Sequence, residues 1–160
     1  RFWFSRKVYR VGERADMFLA DARGSAVNMA LGEMTRRIKP SETLAVLPEG
    51  VMLNYLARRV NPTPYLSLVP FTVNLVGEER ILASFQRHPP DYITLVHKDT
   101  SEEGARFFGR DYGQRIYAWI REQYREVKLI GALPLQDERF GILLMRRNTL
   151  LTQDKTLPKP

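Results

Sequence analysis

The sequence predicts an α/β fold: a three-layer sandwich with a mainly parallel, Rossmann-like sheet and an antiparallel hairpin at one edge. Short apolar runs typical of buried strands alternate with segments whose apolar residues recur at helical spacing. This alternation places a helix between successive strands, which is the connection that parallel strands require. The last two strand-like runs follow each other directly and therefore predict the hairpin.

The first half of the chain begins with a strand-like stretch and a polar connection. A helix follows, in which apolar residues such as Ala30 and Met34 share one face before Lys39 and Pro40 end the pattern. Next comes a short apolar run that predicts a buried strand. Pro48 and Gly50 end this strand and precede another helix. The predicted elements are a strand at 2–11, a helix at 25–38, a strand at 43–47 and a helix at 52–60.

The second half continues the alternation after one irregular segment. Residues 66–75 are apolar but interrupted by Pro70, which favours a loop or an edge strand. The later elements are a helix at 78–87, a strand at 92–96, a helix at 114–126 and strands at 127–133 and 140–146.

Length and composition indicate one folded domain, assigned to residues 1–150, followed by a flexible tail at 151–160. Cysteine is absent, which excludes disulfides, thiolate catalysis and zinc sites built on cysteine. The net charge of +7 favours anionic neighbours. The basic residues are scattered and form no recognition helix, so we expect no nucleic-acid partner.

Polar residues that follow the predicted strands are the first candidates for a site. Ligands of open α/β sheets bind outside the carboxyl ends of the strands. Glu49 follows one strand, and His97 and Asp99, with Lys98 between them, follow the next. Asp111 with Tyr112 lies in a glycine-rich loop that could reach the same edge. These groups could form an acid/base or metal site. A structural interpretation is also open, in which Glu49 caps a helix, His97 and Asp99 make local hydrogen bonds and Tyr112 packs against its neighbours.

Asn54 and Arg58 extend this set, because they are spaced to lie on one side of the helix that follows Glu49. They could line a polar edge with Glu49. Alternatively, Asn54 ties the helix to the proline-rich loop that follows it. Motifs for dinucleotide binding, the P-loop, zinc proteases and α/β-hydrolases are absent from the sequence.

Four stretches carry a family resemblance: "TLAVLPEGVMLNYLARRVNPTPY", "PPDYITLVHKDTSEEGARFFGRDYG", "WIREQY" and "FGILLMRR". Together they resemble the carboxyl-terminal, extracytoplasmic domain of bacterial polytopic membrane glycosyltransferases of the family-39-like type, in the glycosyltransferase-C superfamily. The resemblance covers about residues 16–147.

The resemblance implies a parent enzyme that transfers a sugar from a lipid-phosphate-linked donor. It places the catalytic carboxylates in loops near the membrane-spanning amino-terminal part of the parent, so that no catalytic residue and no cofactor are expected in this domain. A divalent metal in the parent is left open. The implied partners are the membrane part of the same polypeptide and a lipid-linked sugar or glycan acceptor. The implied location is the periplasmic face of the inner membrane.

Three hypotheses follow from the residues and the resemblance. The first is an accessory domain that binds the acceptor or glycan, with Tyr65 or Tyr112 stacking on a sugar. Its edge consists of Glu49, Asn54, Arg58, His97 and Asp99. The second is a separate soluble enzyme with an acid/base or metal site built from Glu49, His97, Asp99 and Asp111. The third is a structural cap over the membrane part.

Overall fold

The computed structural model describes residues 7–148, which form a four-stranded sheet, a small hairpin and five helices. The ends of the predicted domain and the predicted tail at 151–160 lie outside the described residues. The strands are β1 (Tyr9–Val11), β2 (Phe18–Ala20), β3 (Leu44–Leu47), β4 (Tyr92–Val96), β5 (Tyr124–Gly131) and β6 (Gly141–Arg147). The helices are α1 (Arg23–Arg37), α2 (Val51–Ala57), α3 (Pro70–Val76), α4 (Glu78–Arg87) and α5 (Gln114–Gln123), with 3-10 turns at Arg14–Asp16 and Ser101–Glu103.

The main sheet has the strand order β3-β4-β6-β5 and is mixed, not mainly parallel. Only β3 and β4 pair in parallel, whereas β6 pairs antiparallel with both β4 and β5. The prediction of a mainly parallel, Rossmann-like sheet is therefore wrong. The β5–β6 hairpin folds back into the sheet, so that β6 lies in its interior and β5 forms the edge.

Burial explains why β6 takes the inner position. Residues 141–145 of β6 are all buried, as an interior strand covered on both faces requires. By contrast, β5 carries Arg125, Glu126 and Lys128, whose charges suit an exposed edge and discourage further strand pairing.

Helices cover both faces of the main sheet, and each face has its own apolar cluster. Along β3, successive side chains point to opposite faces. Ala45 and Leu47 pack with residues of α3, α4 and α5, including the fully buried Phe85. Leu44 and Val46 pack with residues of α1 and α2. Both faces of β3, β4 and β6 are thus largely removed from water, which is the main source of the sheet's stability.

Several element boundaries differ from the predictions. Residues 66–75 were predicted as a loop or edge strand, but Pro70 begins α3. Proline suits this first helical position because its fixed φ is helical and the N–H it lacks has no partner there. The helix predicted at 114–126 ends at Gln123, where β5 begins. In the polar connection at 12–24, Phe18–Ala20 forms β2, which pairs with β1.

Candidate functional site

The carboxyl-end edge, defined here as the surface beyond the last residues of β3 and β4, brings two of the predicted residues close together. Glu49 follows β3 and its carboxylate lies 3.2 Å from the ammonium of Lys98, which follows β4. The helix α2 begins after Gly50, and no side chain caps it. Glu49 is therefore not the helix cap that one interpretation predicted. It is an exposed residue whose backbone pairs with Ser67 in the next loop.

Asp99 belongs to a charged network at the same edge. Arg106 donates from Nε to Asp99 at 2.8 Å and from a terminal nitrogen to Glu138 at 2.5 Å. The hydrogen bond from Arg106, with a second from the backbone N–H of Ser101, lowers the pKa of Asp99 to about 2. Asp99 is thus ionised at neutral pH and cannot act as a general acid.

His97 is half-buried between two aromatic rings, with ring-centre distances of 5.5 Å to Phe107 and 6.3 Å to Phe140. Its Nδ1 accepts a long hydrogen bond of 3.4 Å from the backbone N–H of Leu135. Burial lowers its pKa. Among residues 7–148 no carboxylate hydrogen-bonds to the imidazole, so His97 lacks the orienting group of an acid/base pair.

The loop that carries Asp111 and Tyr112 is held together by these two residues. Asp111 accepts a hydrogen bond of 2.8 Å from the backbone N–H of Phe107 and pairs with Arg110. Tyr112 is buried, its hydroxyl lies 3.3 Å from that of Thr100, and burial raises its pKa to about 12. A buried ring cannot stack on a sugar, so Tyr112 is excluded from the stacking role.

Tyr65 is half-buried and packs against the core cluster beneath α3, α4 and α5. Its carbonyl oxygen accepts a hydrogen bond of 3.1 Å from the side chain of Asn61. Only part of its ring is therefore open to a ligand.

Asn54 and Arg58 lie away from the carboxyl-end edge. Asn54 is buried and donates from Nδ2 to the carbonyl of Leu44 at 2.7 Å and to that of Arg59 at 3.1 Å, which ties α2 to the start of β3 and to the loop beyond the helix. Arg58 pairs with Asp16 and lines a separate groove beside the β1–β2 hairpin. The predicted polar edge of five residues is therefore divided between two ends of the molecule.

A pocket that was not predicted from the sequence lies next to the charged network of Asp99, Arg106 and Glu138. It has a volume of about 500 Å³ and is lined by Phe71, Asn74, Leu75 and Glu103. Phe71 and Leu75 are one helical turn apart on α3 and remain 68% and 73% exposed. Glu103 fixes α3 against the turn after β4, because one of its oxygens accepts the backbone N–H of Phe71 at 3.0 Å. The sequence contains a signal for this pocket, because Phe71 and Leu75 are spaced one helical turn apart. The signal predicts a shared helical face only if Pro70 is taken as the first residue of a helix.

The described residues do not form the metal site of the enzyme hypothesis. Within residues 7–148 no group of three or more histidine, aspartate or glutamate side chains is placed to hold a metal ion. The edge instead presents ion pairs beside an open pocket that is lined by one aromatic ring, one leucine, one amide and one carboxylate. This lining combines apolar surface with a few polar groups, as small-molecule sites do.

Comparisons with protein-family models, curated proteins and solved structures find no match to this chain. Over the described part of the chain, no helix combines the length and the apolar character needed to cross a membrane.

Proposed function

We propose that this chain is a sugar-binding accessory domain of a membrane glycosyltransferase that uses a lipid-phosphate-linked sugar, and that it binds the acceptor or glycan without catalysing the transfer. The membrane part belongs to the same polypeptide, and the domain lies on the periplasmic face of the inner membrane. The pocket on α3 is the binding site.

The exposed ring of Phe71 carries this proposal. An aromatic side chain that is 68% exposed can cover the apolar face of a sugar ring, and this burial stabilises a complex. Asn74 offers an amide for hydroxyl groups on the same pocket wall, and the second oxygen of Glu103 offers an acceptor. These three side chains supply the combination of one apolar surface and a few polar groups that fixes a sugar's orientation.

The state of the charged groups favours binding over catalysis. The carboxylates of Glu49 and Asp99 lie against the cations of Lys98 and Arg106. The Nδ1 of His97 accepts a hydrogen bond from the backbone N–H of Leu135, and among residues 7–148 no carboxylate orients the imidazole as a general base. A general acid needs a raised carboxyl pKa, and Asp99 has the opposite shift.

Two of the stretches that resemble the glycosyltransferase family contribute residues to this edge. The first stretch contributes Glu49, whose backbone pairs with Ser67 two residues beyond the end of that stretch. The second contributes Lys98, Asp99 and Glu103. Residues far apart in the sequence thus form one surface.

The binding proposal is tested by saturation-transfer NMR of the chain with methyl glycosides of neutral hexoses and pentoses. At least one glycoside should bind with a dissociation constant on the order of 1 mM, a value typical of a small polar ligand in an open pocket. Phe71→Ala should weaken it roughly tenfold, equivalent to about 1.4 kcal/mol. Leu129→Ala, which removes an exposed leucine from β5, is the matched control and should leave affinity unchanged.

The link to a membrane enzyme is tested separately on the complete reading frame that encodes this chain. The proposal requires several apolar spans of about 20 residues in the same polypeptide. A reading frame without such spans contradicts the link, even if the sugar binding is found.

A structural cap over the membrane part is the second candidate, and a specific observation favours it. Phe71 and Leu75 are 68% and 73% exposed one helical turn apart on α3, and exposed apolar patches often contact another protein surface. If no glycoside binds, and Phe71→Ala lowers the thermal stability of the complete polypeptide, the chain is a structural cap rather than a sugar-binding domain.

A further inference from the structure

A second groove lies beside Tyr92, the first residue of β4. It is therefore at the opposite end of this strand from the carboxyl-end edge. It has a volume of about 440 Å³. Three arginines from three different elements line it: Arg37 from the last turn of α1, Arg125 from the start of β5 and Arg146 from the end of β6. The remaining lining residues are Tyr92, Glu126 and Val127.

Two of these arginines face each other across a strand pair. Arg125 and Arg146 are direct partners in the antiparallel register of β5 and β6. Like charges in directly opposite positions destabilise a sheet. A register shift between Glu126 and Lys128 separates this pair from the rest of the hairpin, in which the buried Ile130 lies opposite the buried Ile142. The backbone pairing on the outer side of this shift places the two positive charges opposite each other.

Acidic neighbours only partly compensate these charges. The ion pairs around the groove are Arg37–Glu33 at 2.6 Å, Arg146–Glu42 at 3.7 Å and Arg121–Glu126 at 2.6 Å. Within residues 7–148, Arg125 forms no ion pair, and the carboxylate of Glu126 is directed to Arg121 outside the groove. The guanidinium of Arg146 also lies 5.6 Å from the centre of the Tyr92 ring, which fixes its position over the groove.

We propose that this groove binds the phosphate group of an anionic ligand, with Arg125 and Arg146 bridged by the phosphate and Arg37 as a third donor. Guanidinium groups present paired N–H donors that match phosphate oxygens, and such charge-assisted bonds are stronger than neutral ones. A bridging anion converts the repulsion between Arg125 and Arg146 into attraction. The groove is larger than a phosphate and leaves room for an attached sugar or lipid headgroup. This site is separate from the α3 pocket and does not depend on the sugar-binding proposal.

Calorimetric titration with pyrophosphate at low salt tests the site. Arg125→Gln should weaken pyrophosphate binding roughly ten- to a hundredfold, as expected for the loss of a hydrogen bond to a charged group. Arg139→Gln is the control, because it removes the same charge on the loop before β6, where Arg139 pairs with Asp137. It should change the affinity by less than about twofold, because general attraction by net charge is all that it alters.

Thermal unfolding gives an independent readout. Without ligand, Arg125→Gln should raise the melting temperature because it removes the cross-strand repulsion, and it should abolish the further rise that pyrophosphate gives to the wild-type chain. A structural role for Arg125 would instead lower the melting temperature of the variant.

Vesicles distinguish the sources of the phosphate. Binding to vesicles of phosphatidylglycerol that is lost in Arg125→Gln, without binding of pyrophosphate, identifies a lipid headgroup as the ligand. Arg125-dependent binding of pyrophosphate alone identifies a free phosphorylated compound. Equal weakening by Arg125→Gln and Arg139→Gln, or no binding of either probe, overturns the proposal.

Discussion

The two asparagines Asn54 and Asn74 should respond to substitution in opposite ways. Asn54→Ala removes the donor from the carbonyls of Leu44 and Arg59. Leu44 is fully buried, so its carbonyl is left unsatisfied at a cost of about 1–3 kcal/mol, whereas Arg59 is half-exposed and can use water. We therefore expect a loss of about 2 kcal/mol in the free energy of unfolding. For a domain of this size the melting temperature should fall by about 4–8 °C.

Asn74→Ala is the matched control, because Asn74 is exposed on α3 beside Phe71. It should change stability by less than about 0.5 kcal/mol but weaken glycoside binding. Asn54→Ala should leave glycoside binding unchanged at temperatures where the variant is folded. Urea unfolding and calorimetric melting measure the stabilities. An Asn54→Ala variant that melts within about 1 °C of the wild type would refute the assignment of this residue to fold stability.

Two further predictions concern the carboxyl-end edge. A Cβ on Gly50 would lie 2.5 Å from Cγ1 of Val46, so Gly50→Ala should lower the free energy of unfolding in urea by about 1–3 kcal/mol. Because Val46→Ala removes the clashing methyl group, the double variant should lose less stability than the sum of the two single variants, and an additive double variant would contradict the contact. The pKa of Asp99 is lowered to about 2 from an ordinary value near 4, so its interaction with Arg106 stabilises the fold fully above about pH 4 and is lost as the pH falls through about 2. The difference in urea midpoint between the wild type and Asp99→Asn should accordingly shrink from pH 4 to pH 2, and a constant difference would argue against this interaction.

The buried elements could be predicted from the sequence because their signals are local. The strand at 92–96 and the helix at 78–87 agree with β4 and α4 at both ends. Their apolar residues follow one period, and proline or glycine marks their boundaries.

The order of strands in the sheet was not predicted, because it depends on contacts between distant parts of the chain. A hairpin can add to the edge of a sheet through either strand, and the choice here follows from which strand tolerates burial on both faces. The sequence does distinguish the two strands, because β5 carries charged residues at 125, 126 and 128 whereas β6 is apolar at 142–145. This difference predicts that β6 is the inner strand and β5 the outer one.

The candidate site was predicted in part, for a similar reason. Glu49, Lys98 and Asp99 were placed at one edge because residues that directly follow neighbouring parallel strands are close in space. Asn54 and Arg58 were misplaced, because α2 runs back along the sheet and carries them to the other end. Phe71 was missed because Pro70 was taken as an interruption of a strand rather than the first residue of a helix.

The most direct test of the central claim is a map of amide chemical shifts in the chain titrated with the same panel of methyl glycosides. If the α3 pocket binds sugar, at least one glycoside should shift the amides of Phe71, Asn74 and Glu103 with a common saturation curve. The claim that the α3 pocket binds sugar would be contradicted if no glycoside of the panel shifted these amides, or if the shifts were confined to the groove at Arg125.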